Sequence, residues 1–177
     1  MNAMLPPGAG RGEEPTPNQV ALIEQLQIHA DAPPQRGTRH LHLNFPSAFI
    51  HGDDAVRLVI ERMHSWLWVT RDQADLLTHA LHEAVVNAVV HGNRGHIGVM
   101  VDVELWADGQ HWDLHISDQG KGFTQRDALR AFRGRRRNLG SGRGLVIMAG
   151  SVERLTFHHG GRTVVLGGRR TDGMRRN

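Results

Sequence analysis

The chain has 177 residues, enough for one well-buried domain and too few for two domains that each carry a full core. Hydrophobic residues make up 39% and charged residues 22%, which is typical of a soluble globular protein, and no apolar run is long enough to predict a membrane span. The formal net charge of +3 does not by itself indicate a nucleic-acid-binding protein, and the absence of cysteine excludes disulfides, thiolate metal sites and cysteine nucleophiles. The start of the chain lacks the pattern of a secretory signal, so we expect a cytoplasmic protein.

The N-terminal part, residues 1–38, is rich in proline, glycine and polar residues, and we predict a flexible segment there. One apolar patch between Val20 and Ile28 is a candidate short helix that docks on the domain or on a partner. Residues 39–170 are predicted to form the folded domain, and residues 171–177 a basic tail.

The first regular elements are one strand and two helices. Apolar and polar residues alternate from His40 to Pro46, which predicts a strand. Apolar residues at helical spacing predict a helix from about Asp53 to Trp68 and a second from a cap near Thr70 to about His91, ended by Gly92.

The second half of the chain reads as a hairpin, a loop, a short helix and two strands. The hairpin strands span about residues 98–106 and 111–117, and Asp108-Gly109 is a strong turn signal between them. An arginine-rich stretch, residues 124–138, is a candidate mobile loop or lid. A short helix at about residues 144–149 and strands at 152–157 and 163–166 follow. This order predicts an α+β sandwich with one mixed or antiparallel sheet and helices on a single face.

The second helix contains a polar stripe beside apolar neighbours. Glu83, Asn87 and His91 recur every four residues and therefore share one face. Such a stripe fits a metal ion, water or a phosphate group, and it equally fits a helix edge that meets solvent. The zinc-protease helix pattern would require a second histidine at position 86, which is Val86, so thirteen histidines in the chain do not predict a zinc site.

Two glycine-rich motifs follow along the chain. In Asp118-x-Gly120-x-Gly122 an acid comes directly after a strand, and a carboxylate there can accept a hydrogen bond from an amino group such as that of adenine. In the second motif, Gly142 and Gly144 lead into a helix, whose free N–H groups can cradle a phosphate. Each motif alone is weak, since ordinary turns share these compositions.

Together, the three motifs closely resemble the nucleotide-binding boxes of the GHKL superfamily, which includes gyrase, heat-shock chaperone, histidine kinase and MutL ATPases. The resemblance covers about residues 41–166. The run Glu83 to Asn93 and the stretches at residues 144–148 and 160–166 look most like the anti-sigma factor serine/threonine kinases, the RsbW-like group. The resemblance implies a two-layer Bergerat sandwich, the histidine kinase-like ATPase fold.

The resemblance also implies roles by matching position. Asn87 would coordinate Mg²⁺ that bridges the ATP phosphates, and Glu83 would be the general base toward a serine or threonine hydroxyl. Asp118 would bind the adenine amino group. The glycines and the arginine that complete the implied nucleotide site are Gly120 and Gly122 beside the base and ribose, and Gly142, Arg143 and Gly144 at the phosphates. Residues 124–138 would be the lid.

The implied function is an ATP- and Mg²⁺-dependent kinase that binds a sigma factor and phosphorylates a STAS-domain anti-anti-sigma factor, as a homodimer. A different class of function is an ATP-gated binding module that controls a partner without phosphorylating it, and retention of Glu83 favours the kinase. A nucleic-acid-binding protein that uses the arginine run at residues 133–137 has less support, because no aromatic residues are interleaved with those arginines.

Overall fold

The computed structural model describes residues 17–133 and 143–171. Its regular elements, in chain order, are α1 (Pro17–Glu24), β1 (Thr38–Pro46), α2 (Phe49–Ser65), α3 (Arg71–Val86), a π-helix (Asn87–Gly92), β2 (Met100–Ala107), β3 (His111–Ser117), α4 (Gln125–Arg133), α5 (Arg143–Ser151), β4 (Arg154–His158), a 3-10 turn (His159–Gly161) and β5 (Thr163–Arg169).

The five strands form one sheet in the order β1-β2-β3-β5-β4, and all four strand pairings are antiparallel. The α+β sandwich is therefore confirmed, and of the two strand arrangements expected, mixed or antiparallel, the strands adopt the antiparallel one. Ile28, which belongs to no named strand, forms an isolated parallel bridge with Phe157 of β4.

One face of the sheet carries the helices. Alternate residues of the central strands, such as Leu105, Leu114 and Leu166, are fully buried under α2, α3 and α5. Helices α2 and α3 contribute Val59 and Leu81, also with no exposed surface. Because the period of a strand is two, the residues between these positions face the opposite side of the sheet.

That opposite face is polar and ion-paired. The Asp113 side chain on β3 is 2% exposed and accepts hydrogen bonds from Arg154 on β4 and, at 3.1 Å, from Nε of Arg36. Two guanidinium groups thus compensate the burial of one carboxylate. The helix layer is confined to the other face, and the nucleotide-type motifs lie at one end of that layer.

Helices α2 and α3 begin and end for identifiable reasons. The Thr70 side chain accepts a hydrogen bond from the N–H of Gln73, and the Gln73 side chain accepts one from the N–H of Thr70, which is the predicted cap in its reciprocal form. The predicted bounds of the preceding helix, about Asp53 to Trp68, were wrong: α2 starts at Phe49 and ends at Ser65. Leu67, with a φ of +59°, breaks the helical path before Trp68.

The segment at residues 124–138, predicted as a loop or lid, is helical over its first part. Thr124 Oγ1 donates to Asp127 Oδ2 at 2.7 Å, and the N–H of Asp127 donates back to Thr124 Oγ1 at 3.2 Å, so these two residues cap the start of α4. Residues 134–138 of the predicted lid lie outside the described residues, as do most of the basic tail and residues 1–16.

The N-terminal apolar patch forms helix α1 and then an extended stretch. Helix α1 packs against α4 and α5. Residues 26–31, which we call the N-terminal strap, pair with the backbone of β4 and the 3-10 turn: the N–H of Phe157 donates to Gln27 O at 2.9 Å, and the N–H of His29 donates to Phe157 O at 2.8 Å. The division of the chain into a segment, a domain and a tail stays a prediction.

Candidate nucleotide-binding site

A cavity of about 530 Å³ opens between the end of α3, the β3–α4 loop, the first turn of α5 and the turn before β5. A cavity of this size suits a small organic ligand such as a nucleotide. Six of the eight site residues predicted from the sequence line it: Glu83, Asn87, Asp118, Gly122, Arg143 and Gly144. Gly120 lies just behind Asp118, and Gly142 lies outside the described residues.

Glu83 and Asn87 lie one helical turn apart where α3 passes into the π-helix, and both are partly buried. The Glu83 carboxylate lies against the backbone of Gly144: a Cβ added at Gly144 would lie 2.5 Å from Glu83 Oε2. Glycine at position 144 therefore leaves the space that this carboxylate occupies. The acid and the first turn of α5 share one corner of the cavity.

The π-helix changes the course of the chain at the end of α3. The N–H of Asn93 donates to Ala88 O at 2.8 Å, five residues back, and the N–H of Gly95 donates to Val89 O at 2.7 Å, six residues back. This wider winding carries Gly92 to the Asp118 carboxylate, where an added Cβ would lie 2.5 Å from both carboxylate oxygens. Segments of π-helix are rare and frequently lie at functional sites.

Asp118 follows β3 and points into the cavity. Its Oδ1 accepts a hydrogen bond of 2.7 Å from the N–H of Gly120, and its own N–H donates to Arg162 O at 2.9 Å. Burial raises the pKa of Asp118 to about 6, although the Gly120 N–H and the Arg162 guanidinium act in the opposite direction. A carboxyl group with this pKa is ionised at neutral pH and free to accept a further hydrogen bond.

The raised pKa of Asp118 has a defined sign for stability. Because the folded pKa lies above the ordinary value of 3.8, the folded protein binds more protons than the unfolded chain between about pH 4 and 6. The contribution of Asp118 to the free energy of unfolding therefore falls as the pH rises through that window. A ligand that donates a hydrogen bond to the carboxylate offsets this loss of stability.

The opposite wall of the cavity is suited to anions. The first turn of α5 begins at Arg143 and faces the cavity with Gly144 and Leu145, so the positive end of the helix dipole lies there. Arg143 and Arg162 bring two guanidinium groups to the cavity rim. Gly122 lines the floor with a φ of +71°, a backbone conformation that favours glycine.

Sequence reasoning missed two residues of the site. Asn93 is 6% exposed; its Oδ1 accepts from the N–H of Gln119 at 2.8 Å and its Nδ2 donates to Met100 O at 2.9 Å, so its amide fixes the loop that carries Asp118. The signal was its place at the end of the Glu83 to Asn93 run. Arg162 gave no comparable signal, because its approach to Asp118 depends on the turn before β5.

Comparison with protein-family models decides the class of this cavity. The histidine kinase-like ATPase domain model, HATPase_c_2, matches residues 53–167, well over half of the chain. The chain belongs to this family. The GHKL superfamily predicted from the three motifs is thus confirmed. Domains of this family bind ATP, and the cavity is the candidate site for it. A comparison with curated proteins gives no match.

Family membership implies ATP together with Mg²⁺, and the residues present fit both. Asp118 offers an acceptor for the adenine amino group, while the first turn of α5 offers donors for phosphates. Among residues 17–133 and 143–171, no three histidine or carboxylate side chains are placed to hold a metal ion. The amide oxygen of Asn87 in the same cavity suits Mg²⁺, which typically takes one or two protein ligands and completes its shell with phosphate oxygens and water.

Over the described part of the chain, no helix is both apolar and long enough to cross a bilayer.

Proposed function

We propose that this histidine kinase-like ATPase domain is a serine/threonine-protein kinase that acts as an anti-sigma factor. It would phosphorylate a STAS-domain anti-anti-sigma factor, bind a sigma factor, and work as a cytoplasmic homodimer. The observation that carries the proposal is the Glu83 carboxylate, which lies in the ATP-binding cavity beside the first turn of α5. An ATP-gated binding module would need no carboxylate at that position.

The resemblance of particular stretches supports the choice of substrate. The run Glu83 to Asn93, the start of α5 and the turn into β5 look like those of the RsbW-like kinases, and all three meet at the cavity. Kinases of this group transfer phosphate to a STAS-domain protein. The STAS acceptor, the sigma factor and the dimer therefore come into the proposal by resemblance.

In the proposed reaction, the serine hydroxyl of the acceptor attacks the γ-phosphorus of ATP and gives its proton to Glu83, while the bond from that phosphorus to the β,γ-bridging oxygen breaks and ADP leaves. Asn87 would hold Mg²⁺, which when bound neutralises charge on the phosphates. Asp118 accepts from adenine, and the N–H groups at the start of α5 hold the phosphates. The contact of the Glu83 carboxylate with Gly144 supports this role, because it places the proposed base next to the proposed phosphate-binding turn.

The test separates phosphoryl transfer from nucleotide binding. Glu83→Ala should keep Mg-ATP affinity within a few-fold of wild type and slow transfer by roughly 10²–10⁴, the usual contribution of a positioned general base. Asn87→Ala should weaken both, because it removes the proposed metal ligand. Transfer is measured with radiolabelled ATP and a STAS-domain acceptor, binding by calorimetric titration, and folding by circular dichroism.

Three results have distinct meanings. If the wild type binds ATP but does not label its cognate STAS-domain partner, the product of the partner gene, the protein is the ATP-gated binding module. If Glu83→Ala transfers phosphate at the wild-type rate, Glu83 is not the base. If Asp118→Asn leaves ATP affinity unchanged instead of lowering it by about tenfold to a hundredfold, the adenine subsite is misplaced, since losing a charge-assisted bond is worth about 1.5–3 kcal/mol.

A further inference from the structure

Helix α1 and the N-terminal strap, residues 17–31, lie wholly outside the residues that match the family. They nevertheless touch three walls of the ATP-binding cavity. Helix α1 packs on α4 and α5, and the strap pairs with the end of β4 and the turn before β5. These N-terminal residues therefore pack directly on elements that surround the cavity.

Ile23 is the centre of this contact. Its side chain has no exposed surface and lies in a small apolar cluster beside the main core, with Ala128 on α4 and Leu145 on α5. Phe123, from the loop before α4, also packs in the cluster. These same three residues line the cavity on their other side. Ile23 therefore packs directly on residues that line the cavity.

Polar contacts fasten both ends of residues 17–31. At the end of α1, the Gln125 side chain of α4 donates to the carbonyl of Glu24. Along the strap, the N–H of Gly160 donates to His29 O at 2.9 Å and the N–H of His159 donates to Asp31 O at 3.0 Å. The His29 ring stacks on the His158 ring with centroids 4.8 Å apart. The turn held in this way carries Gly161, which packs on Phe123.

Among the elements that the structure describes, helix α4 packs mainly against α1, whereas α5 also packs against α3 and β4. Apolar burial is the main stabilising contribution for a short helix of this kind, because a nine-residue helix is marginal alone. Removing the Ile23 side chain should therefore loosen α4 first and the start of α5 second.

We propose that residues 17–31 are a positioning element of the nucleotide site, in which Ile23 holds α4 against the first turn of α5 and thereby slows nucleotide release. This inference rests on the proposed binding of ATP in the cavity. Ile23 itself touches no ligand and acts through Phe123, Ala128 and Leu145. Variation in this N-terminal element would tune the lifetime of the bound nucleotide without any change in the family's own motifs.

The experiment compares Ile23→Ala with Ile60→Ala in the full-length protein. Both changes remove the same side-chain carbons, but Ile60 belongs to α2 and packs against the main core. The first readout is amide hydrogen exchange without nucleotide. Ile23→Ala should raise exchange in α4 and at the start of α5 by about tenfold or more, whereas Ile60→Ala should leave those amides at the wild-type level relative to the rest of the protein.

The second readout is the release of fluorescent ATP in stopped flow. Ile23→Ala should release it about tenfold faster with a smaller change in association rate, and Ile23→Leu should restore slow release. If Ile23→Ala does not fold, Ile23→Val replaces it, with a smaller shift in the same direction. Equal α4 exchange in the Ile23 and Ile60 variants, or unchanged release from a folded Ile23 variant, overturns the proposal. The hydrogen-exchange comparison needs no nucleotide. A wild type that fails to bind ATP would therefore contradict the proposed function and leave the hydrogen-exchange test of Ile23 unaffected.

Discussion

Replacing Gly144 by alanine tests whether the Glu83 carboxylate has to lie where the structure places it. An added Cβ would lie 2.5 Å from Glu83 Oε2, and ordinary van der Waals contact begins at 3.4 Å. The carboxylate is the end of a flexible side chain, so it should move by about 1 Å while the backbone stays in place. A misplacement of about 1 Å at a reacting group can slow catalysis by about 10²-fold. We expect transfer to fall by about 10–100-fold and ATP affinity by only a few-fold.

Gly150→Ala is the matched control for this change. Gly150 belongs to the same helix, α5, and an added Cβ would meet no atom within 4 Å. Alanine in place of glycine raises the helix propensity of both positions by up to about 1 kcal/mol, so this contribution is common to the two variants. Gly150→Ala should transfer phosphate at the wild-type rate and unfold at the same or a slightly higher temperature.

The assay is single-turnover transfer of radiolabelled phosphate to the STAS-domain acceptor at saturating ATP. Glu83→Ala and the Glu83→Ala, Gly144→Ala double variant complete a cycle. If Gly144 acts through the carboxylate, adding Gly144→Ala to Glu83→Ala should slow the reaction no further. A wild-type rate in Gly144→Ala, or an equally large effect of Gly144→Ala when Glu83 is already absent, would refute the reasoning.

The other predictions concern Asp118, Asn93 and Thr70. The pKa of Asp118 is about 6, and the carboxylate is the form that accepts a hydrogen bond from adenine, so calorimetry should show ATP affinity falling by up to about tenfold per pH unit below pH 6. Asp118→Asn should lose the part of this pH dependence that comes from Asp118, while the part that comes from the ATP phosphates is the same in both proteins. An equal pH dependence of ATP affinity in the two proteins would contradict the assignment. Asn93→Ala should lower the free energy of unfolding, measured in urea, by about 2–3 kcal/mol and should weaken ATP binding, because the N–H of Gln119 and the carbonyl of Met100 both lose their partner. A variant with wild-type stability would show that the buried amide is dispensable. Thr70→Ala should lower the free energy of unfolding by about 1 kcal/mol through loss of the α3 cap, with no change in the denaturant m-value. Thr78→Ala in the same helix should leave the free energy of unfolding nearly unchanged, because the Thr78 hydroxyl donates only to Ala74 O.

Local signals predicted much of the fold. The cap at Thr70 depends on Gln73, three residues away, and the Asp108 side chain accepts from the N–H groups of Gln110 and His111 at 2.7 Å, so both are short-range features that a sequence displays directly. Alternation of apolar and polar residues from His40 to Pro46 likewise predicted strand β1. The order of the three nucleotide motifs was sufficient for the superfamily.

Other features depend on residues far apart in the chain. The contact between Gly144 and Glu83 joins helices α5 and α3. The position of Ile23 depends on helix α4. The start of α4 was itself missed, because its capping residues Thr124 and Asp127 lie in an arginine-rich stretch whose composition is typical of a loop. The start of α2 was missed because its first turn carries exposed Phe49 and Ile50, which break the apolar period. The π-helix has no compositional signal, and its contact between Gly92 and Asp118 joins residues 26 positions apart in the chain.

Strand β1 has a practical consequence for anyone who isolates the ATPase domain by its family boundaries. The family match begins at residue 53, yet β1 ends at Pro46 and pairs along the whole of β2. A fragment cut at residue 53 would turn β2, with buried Val101, Val103 and Leu105, into an open edge, and open apolar edges recruit other chains as extra strands. Such a fragment would self-associate in solution, and its oligomeric state would result from the exposed edge of β2 and would differ from that of the full-length protein.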